Sequence, residues 1–328
     1  MTFTGNPGKI PDMKIHIPNS AFIGNIDPFI STFNPADREV LEITTNDRWM
    51  SMHPVVLCMV AALGDCVKHV VIDEVTATSK HYLTRMRLYD FLRLPSPDSI
   101  VEHDASGRFI PLTRVQDSNE LAAVLKDITP LLHLPPEDAR PIRYIVSELV
   151  RNVLEHANSS GGAIVCAQYY SKSNTIRLGI VDTGIGIKRS IEFAHRVGND
   201  LDAIKLALMP GITGTTRREG GTDYNAGAGL FFIKSIASVN KNPFMIYSGN
   251  GMYKLLKNKT PSRLRADANL DNHSERDDLP YWHGTAVGID ISLEPTEPFT
   301  TLLSLIGKTY TQAVRERRKE RYKKARFI

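Results

Sequence analysis

The sequence predicts an α/β (α+β) protein organised in two main units. In residues 13–111, short β-rich runs alternate with helical patterns, which is typical of a small α/β layer. Residues 112–295 hold amphipathic helical patterns and longer apolar β-rich runs, with glycine-rich segments between them. A chain of 328 residues can supply two domains. We expect a flexible N-terminus at 1–12 and a C-terminal helix with a basic tail at 296–328.

The first unit contains three predicted strands and two predicted helices. The runs KIHIP, VLEITT and VVIDEV are short and rich in β-branched residues, so they predict strands. HPVVLCMVAALGDCVKHV predicts a helix with Pro54 in its first turn. SKHYLTRMRLYDFLRL predicts a second helix with Ser79 as its N-cap, and the proline-rich LPSPDS follows it.

The second unit begins with two predicted helices and a hairpin. SNELAAVLKDITPLL is helical, and PPEDARP is a turn that opens the helix carrying SELVRNVLEHA. We expect Gly161–Gly162 to end that helix, because glycine accepts the left-handed conformation common after a helix. AIVCAQYY and TIRLGIVD predict two strands, which the polar SKSN joins.

The remainder of the second unit predicts further helices and strands around a flexible segment. In chain order it contains a helix near 189–209, a Gly- and Thr-rich loop at 210–228, the helix GLFFIKSIASV, the strands FMIYS and MYKLL, a polar loop, and the strand HGTAVGIDISL.

Composition points to a globular protein of a reducing compartment. Hydrophobic residues make up 42% and charged residues 23%, as in soluble domains. The first twenty residues show no secretory signal pattern, and the longest apolar run, Val55–Leu63, is too short to span a membrane. Three cysteines without a metal-binding spacing fit the cytoplasm. We therefore expect a cytoplasmic protein without a membrane partner.

Positive charge is concentrated in the C-terminal tail. Residues 315–326, RERRKERYKKAR, hold eight basic and two acidic residues, a net charge of +6 in a chain whose total is +4. Two interpretations stay open: a surface that binds nucleic acid, and a solvated helix end. Because the tail follows the last predicted strand, we expect it to be dispensable for ligand binding.

One helix carries an unusual polar stripe. Glu148, Asn152 and His156 recur every four residues and share a face, while the opposite face is apolar. The segments DTGIGI and GAGL add glycines after a strand and before a helix, where backbone can approach a ligand. A helix start suits phosphate, and an Asn can complete the coordination of a Mg²⁺ ion that holds phosphate oxygens. These parts predict a nucleotide site.

The order of these segments resembles the GHKL superfamily, the ATPase fold shared by DNA gyrase, sensor histidine kinases, anti-sigma-factor kinases and mismatch-repair MutL proteins. ELVRNVLEHA resembles the N-box of that family, nearest to the anti-sigma-factor kinase branch. The resemblance implies that Glu148 activates a water or hydroxyl and that Asn152 binds Mg²⁺. It also implies a two-layer α/β sandwich with a mixed sheet over 112–295.

The other boxes extend the resemblance. DTGIGI resembles the G1 box, where Asp182 would accept a hydrogen bond from the adenine amino group and Gly184 and Gly186 would frame the base. GAGL resembles the G2 box, and its members Gly227, Gly229 and Leu230 would close on phosphates. GTAVGIDI resembles the last box, whose Thr285 would reach adenine directly or through water.

Several assignments stay open. His156 touches phosphate or bonds a backbone carbonyl at the helix end. The segment 211–216 is either a lid that meets phosphate through Thr213 or Thr215, or a plain flexible loop. The first unit loosely resembles the STAS fold of anti-sigma-factor antagonists, without the usual signature after its strand.

The resemblance implies ATP and Mg²⁺ as cofactors and leaves three functions. The first is a bacterial regulator in which ATP switches a lid and contacts with a protein partner or a second copy, with slow ATP hydrolysis. The second is a serine/threonine protein kinase of the anti-sigma-factor type. The third is a nucleotide-dependent binding module without turnover.

Overall fold

A computed structural model describes most of the chain. The described residues are 13–32, 39–77, 80–96, 109–132, 135–214, 228–256, 264–294 and 298–323. The predicted flexible N-terminus 1–12, the proposed N-cap Ser79, Thr215 and Gly227 lie outside them.

Among its described residues, the first unit contains two small parallel sheets and four α-helices. Its elements are β1 (Met13–Ile17), β2 (Ser20–Ala21), α1 (Asp27–Ile30), β3 (Val40–Thr45), β4 (Ser51–Met52), α2 (Pro54–Asp65), β5 (His69–Ile72), α3 (Lys80–Arg85) and α4 (Leu88–Phe91). Strands β1, β3 and β5 form one sheet in that order, and β2 pairs with β4. The predicted second helix is broken between α3 and α4, where Arg87 adopts a left-handed conformation (φ 60°) that an α-helix cannot continue through.

A seven-stranded sheet forms the centre of the second unit. Its strands are β6 (Phe109–Val115), β7 (Ala163–Tyr170), β8 (Thr175–Asp182), β9 (Phe244–Gly249), β10 (Gly251–Leu255), β11 (His273–Arg276) and β12 (Trp282–Ser292). Their order is β11-β10-β9-β12-β8-β7-β6, with antiparallel neighbours throughout. The predicted α/β class is confirmed. Both kinds of strand pairing occur in the chain, but the parallel pairs lie in the small sheets rather than in the large one.

Helices cover one face of the large sheet. They are α5 (Ser118–Leu132), α6 (Pro136–Asn152), α7 (Gly186–Glu192), α8 (Asp200–Ala207), α9 (Gly229–Val239) and α10 (Phe299–Lys323). The apolar stripe of α6, including Ile145, Leu149 and Val150, is buried against the sheet as its spacing predicts. None of the described helices is both long enough and apolar enough to cross a membrane.

Helix α2 covers the opposite face and joins the first unit to the sheet. It has no polar stripe, and its residues from Pro54 to Gly64 are all buried. Gly179 of β8 permits the contact, because a Cβ there would lie 2.4 Å from the Val55 Cα atom. One apolar core therefore spans the first unit and this sheet face, and the expected two layers gain a third.

The two edge strands of the large sheet, β6 and β11, were not predicted as strands from the sequence. Strand β6 contains Pro111, which argues against a strand, yet β6 is an edge strand whose register shifts between Ile110 and Thr113. It also crosses the predicted domain boundary at residue 112. Strand β11 is the polar segment HSER, predicted as loop; an edge strand does not require apolar residues on both faces.

PPEDARP opens α6 as predicted: Pro135 is the N-cap, and Pro136 takes the first helical position, where it loses no helical hydrogen bond. Two other helix boundaries differ from the prediction. The helix expected near 189–209 is two helices, because the Asn199 side chain caps a new start by accepting from the Asp202 N–H. Residues 153–157 continue α6 as a π-helical turn that ends at Asn158 (φ 48°), so Gly161–Gly162 do not end it.

Candidate functional site

A cavity of about 380 Å³ lies between α6, the end of β8, α7, α9 and β12. Nine of the predicted site residues line it: Glu148, Asn152, His156, Asp182, Gly186, Thr213, Gly229, Leu230 and Thr285. Gly184 is not in the lining, and Gly227 is outside the described residues. Residues far apart in sequence thus meet at one concave surface large enough for a small-molecule ligand.

The wall from α6 presents the polar stripe. Glu148 and Asn152 are one turn apart and both face the cavity. The π-helical turn after Asn152 widens the next turn, yet His156 still lines the cavity, with its Nε2 atom 3.8 Å from Glu155 Oε2. Such π-helical turns occur frequently at functional sites.

Glu148 is half-buried and electrostatically perturbed. Burial raises the pKa of its carboxyl, the positive charge of Arg151 lowers it, and the negative charge of Glu155 raises it. Burial and the charge of Glu148 also raise the pKa of the Tyr144 phenol, which lines the same wall. A carboxyl whose pKa is moved toward neutrality is suited to proton transfer.

The start of α9 lies beside Glu148 and Asn152. A Cβ on Gly229 would be 2.9 Å from Glu148 Oε2 and 3.7 Å from Asn152 Nδ2, so the start of α9 lies against these two side chains and a larger residue would displace the Glu148 carboxylate. Among the described residues, no side chain caps this helix start. Its first N–H groups and its dipole favour an anion in this part of the cavity.

The cavity wall at the end of β8 is formed by Asp182, which is only 3% exposed. The Gly184 N–H donates to Asp182 Oδ1 at 2.8 Å, and Thr285 is its partner across the β8–β12 pair. Burial raises the pKa of Asp182 to about 7, although hydrogen bonds from the backbone N–H groups of Gly184 and Thr285 lower it. This part of the wall therefore offers a buried carboxyl that can accept a hydrogen bond from a ligand.

The two G1 glycines differ in their surroundings. Gly184 packs on the end of the α6 extension, where a Cβ would lie 2.1 Å from the Ala157 carbonyl oxygen. The next residue, Ile185, donates its N–H to that same carbonyl at 2.8 Å. Gly186 has φ +76° and lines the cavity at the start of α7. Gly184 thus joins the loop to α6, whereas Gly186 faces the ligand space.

Ser248 is a positioning residue that the sequence pattern did not indicate. Its Oγ donates to the Gly284 carbonyl at 2.6 Å and accepts from the Ile187 N–H at 2.9 Å. It therefore joins the start of α7 to the irregular start of β12, on either side of Asp182. A serine inside the apolar strand β9 gives no periodic signal, so only the tertiary contacts identify it.

Residues 212–214 form another part of the wall. Thr213 is only 6% exposed, and its carbonyl accepts from His195 Nε2 at 3.1 Å. A Cβ on Gly214 would lie 2.2 Å from the Ser190 carbonyl oxygen, so this segment packs closely on α7. The described part of the predicted Gly- and Thr-rich loop is therefore built into the cavity wall.

The cavity lining contains two chemically distinct groups of residues. One is the buried carboxyl of Asp182, and the other is the start of α9 with the amide of Asn152 and the carboxyl of Glu148. This arrangement suits a ligand with a hydrogen-bond donor on a flat group and an anionic group that carries a metal ion. No protein-family model matches the chain, and no curated protein matches it, so the function of the cavity is inferred from its own residues.

Proposed function

We propose that the chain is a Mg²⁺-dependent, ATP-binding regulatory protein of GHKL type with slow ATPase activity. The observation that supports this most is the convergence of the four predicted boxes on one cavity. They contribute Asn152, Asp182, Gly229 and Thr285 to its lining. Chance alignment of one such segment is common, whereas their assembly around a single cavity is the context that a motif hypothesis requires.

The adenine end is assigned to Asp182. Its carboxylate would accept the hydrogen bond of the adenine amino group, and its burial excludes the water that would compete for that bond. Thr285, its partner on β12, would contact the base beside it. Ser248 and Gly186 support this end by fixing the start of α7.

The phosphate end is assigned to α6 and α9. The first N–H groups of α9 would bind phosphate oxygens, and the Asn152 amide oxygen would hold Mg²⁺. Bound Mg²⁺ supplies charge neutralisation to the phosphates. Glu148, next to the start of α9, would orient a water or a substrate hydroxyl and take up its proton.

The same geometry serves a serine/threonine kinase of anti-sigma-factor type, since Glu148 can act on a hydroxyl as well as on water. Incubation with γ-labelled ATP and Mg²⁺, alone and with co-purifying proteins, separates the functions. We expect labelled free phosphate to accumulate slowly. Labelled protein instead would identify the kinase, and nucleotide binding without either product would identify the binding module. Absence of nucleotide binding would overturn the proposed function.

The raised pKa of Asp182 predicts that nucleotide affinity depends on pH. With a pKa of about 7, the carboxyl is neutral in acid and charged in base, and the charged form accepts the stronger hydrogen bond. The Kd for ADP should therefore fall as the pH rises from 6 to 8 and then level off. In Asp182→Asn this step should be absent, and at pH 8 the variant should bind more weakly by about 1.5–3 kcal/mol.

Calorimetry on both proteins measures this difference in affinity. Titration of the nucleotide itself affects wild type and Asp182→Asn equally, so it does not contribute to the difference between them.

The pH dependence of stability should have the opposite direction to that of affinity. Because the folded pKa lies far above the usual aspartic acid value of about 3.9, ionisation of Asp182 opposes folding. Without ligand, the free energy of unfolding of wild type relative to Asp182→Asn should decrease from pH 4 to pH 7. Parallel pH profiles for the two proteins would contradict the assignment.

A further inference from the structure

Helix α10 is part of the main core rather than an appendage. Leu302 and Ile306 are buried in the cluster that also holds the apolar stripe of α6. Val314, two turns further, is only 8% exposed. The helix is therefore packed along most of its length, up to the start of the basic segment.

Aromatic contacts join α10 to two walls of the cavity. Phe299 contacts Tyr144 on α6, with ring centroids 6.0 Å apart. Tyr310 contacts Phe231 and Phe232 on α9 at 6.2 and 6.1 Å. Tyr144 lines the cavity, and Phe231 directly follows the lining residue Leu230. Helices α6 and α9, which form the proposed phosphate end, therefore both pack against α10.

Arg317 joins α10 to a third wall. Its Nη2 atom donates to the carbonyl oxygen of Pro210 at 2.6 Å, a short bond from a charged donor. Pro210 is buried, and Arg317 is only partly exposed. The expectation that the tail is dispensable for ligand binding does not fit this contact, because Arg317 belongs to residues 315–326.

The segment that Arg317 holds is short and has a second attachment. Gly211 follows Pro210 with φ +76°, a conformation that turns the chain toward the cavity. Ile212, Thr213 and Gly214 then line the cavity, and the Thr213 carbonyl is held by His195. The segment is therefore fixed at one end by α10 and at the other by the residues next to α7.

We propose that Arg317 is a positioning residue for the nucleotide site, acting through the Pro210 carbonyl to hold Pro210–Gly214 in the cavity wall. The inference rests on the proposed nucleotide function. Arg317 does not line the cavity itself. Thr213 lies three residues from Pro210, is buried and is bonded to His195, so its place in the wall depends on how both ends of the segment are held. The basic tail thereby has a defined role in the site besides any role in solvation.

The test compares Arg317→Met with Arg318→Met. Both remove one positive charge and keep a long apolar stem, but Arg318 is exposed. Arg317→Met should raise the Kd for ATP about tenfold, as expected for the loss of a hydrogen bond to a charged donor. Arg318→Met should stay near wild type. Arg317→Lys, which can still donate to Pro210, should recover part of the affinity, and it remains informative if Arg317→Met does not fold.

A second measurement separates this inference from the proposed function. Amide hydrogen exchange of residues 211–214 in the ligand-free protein should be faster in Arg317→Met and unchanged in Arg318→Met. A wild-type protein that binds no nucleotide would overturn the proposed function, while exchange would still report whether Arg317 holds the segment. Equal exchange in the two variants, or faster exchange with unaltered ATP affinity, would overturn the role of Arg317.

Discussion

Replacement of Glu148 by alanine should lower ATP turnover by roughly 10²–10⁴-fold, the usual contribution of a positioned general base. The affinity for ATP should stay near wild type or improve. Glu148 lies beside the start of α9, where phosphate is expected, and a carboxylate there repels an anion in the ground state. Its contribution is therefore expected in the reaction rather than in binding.

The raised pKa of Glu148 supports this role. Burial favours the neutral carboxyl, so the group accepts a proton more readily than an exposed glutamate does. Turnover should consequently decrease as the pH falls through the raised pKa, where the protonated carboxyl can no longer act as a base. Glu148→Gln keeps the shape without the base and should lose turnover to the same extent as Glu148→Ala.

Glu155→Gln provides the matched control. Glu155 lines the same cavity, but its side chain is 60% exposed, whereas Glu148 is half-buried and lies next to Gly229 at the start of α9. Because its charge raises the pKa of Glu148, Glu155→Gln should move the pH dependence of turnover to lower pH, while turnover above that range stays within a few-fold of wild type. Calorimetry measures the ATP affinity of each variant, and a time course of phosphate release measures its turnover. Normal turnover in Glu148→Ala would exclude Glu148 as the base.

Much of the fold could be predicted because local pattern and tertiary context agree. The strands Ala163–Tyr170 and Thr175–Asp182 match the predicted runs, since continuous apolar segments between turn residues have few alternatives. The helix Gly229–Val239 matches as well. The edge strand with Pro111 could not be predicted, because its tolerance of proline depends on its place in the sheet.

The candidate site residues that lie close together in the sequence could be predicted from their spacing. Residues that contact distant segments of the chain could not. Glu148 and Asn152 are visible as a stripe on one helix. Ser248 and Arg317 act through backbone carbonyls of distant segments, and a carbonyl has no sequence signature. The π-helical turn at His156 ends at Ala157, whose carbonyl contacts the distant Gly184.

The second large effect is expected for Asn152→Ala, which should weaken ATP binding in Mg²⁺ by roughly 100-fold. Loss of groups that merely orient metal ligands already costs about 10–100-fold, and Asn152 is assigned as a direct ligand. Mg²⁺ requires oxygen ligands in near-octahedral geometry and is held through few protein groups plus phosphate oxygens. Alanine removes the only protein ligand that the proposal assigns.

The dependence on metal separates this role from a structural one. In EDTA, where no Mg²⁺ can bind, Asn152→Ala and wild type should bind ATP almost equally, because the helix start and Asp182 remain in place. Asn152→Asp sharpens the comparison: it keeps an oxygen ligand but adds a charge near the phosphates. The affinity of Asn152→Asp for ATP should be near wild type in Mg²⁺ and weaker than wild type in EDTA. The ratio of its affinity in Mg²⁺ to its affinity in EDTA should therefore be higher than the same ratio for wild type. Equal losses in both buffers for Asn152→Ala would instead show that Asn152 supports the shape of the cavity, next to Gly229, and that the metal is held elsewhere.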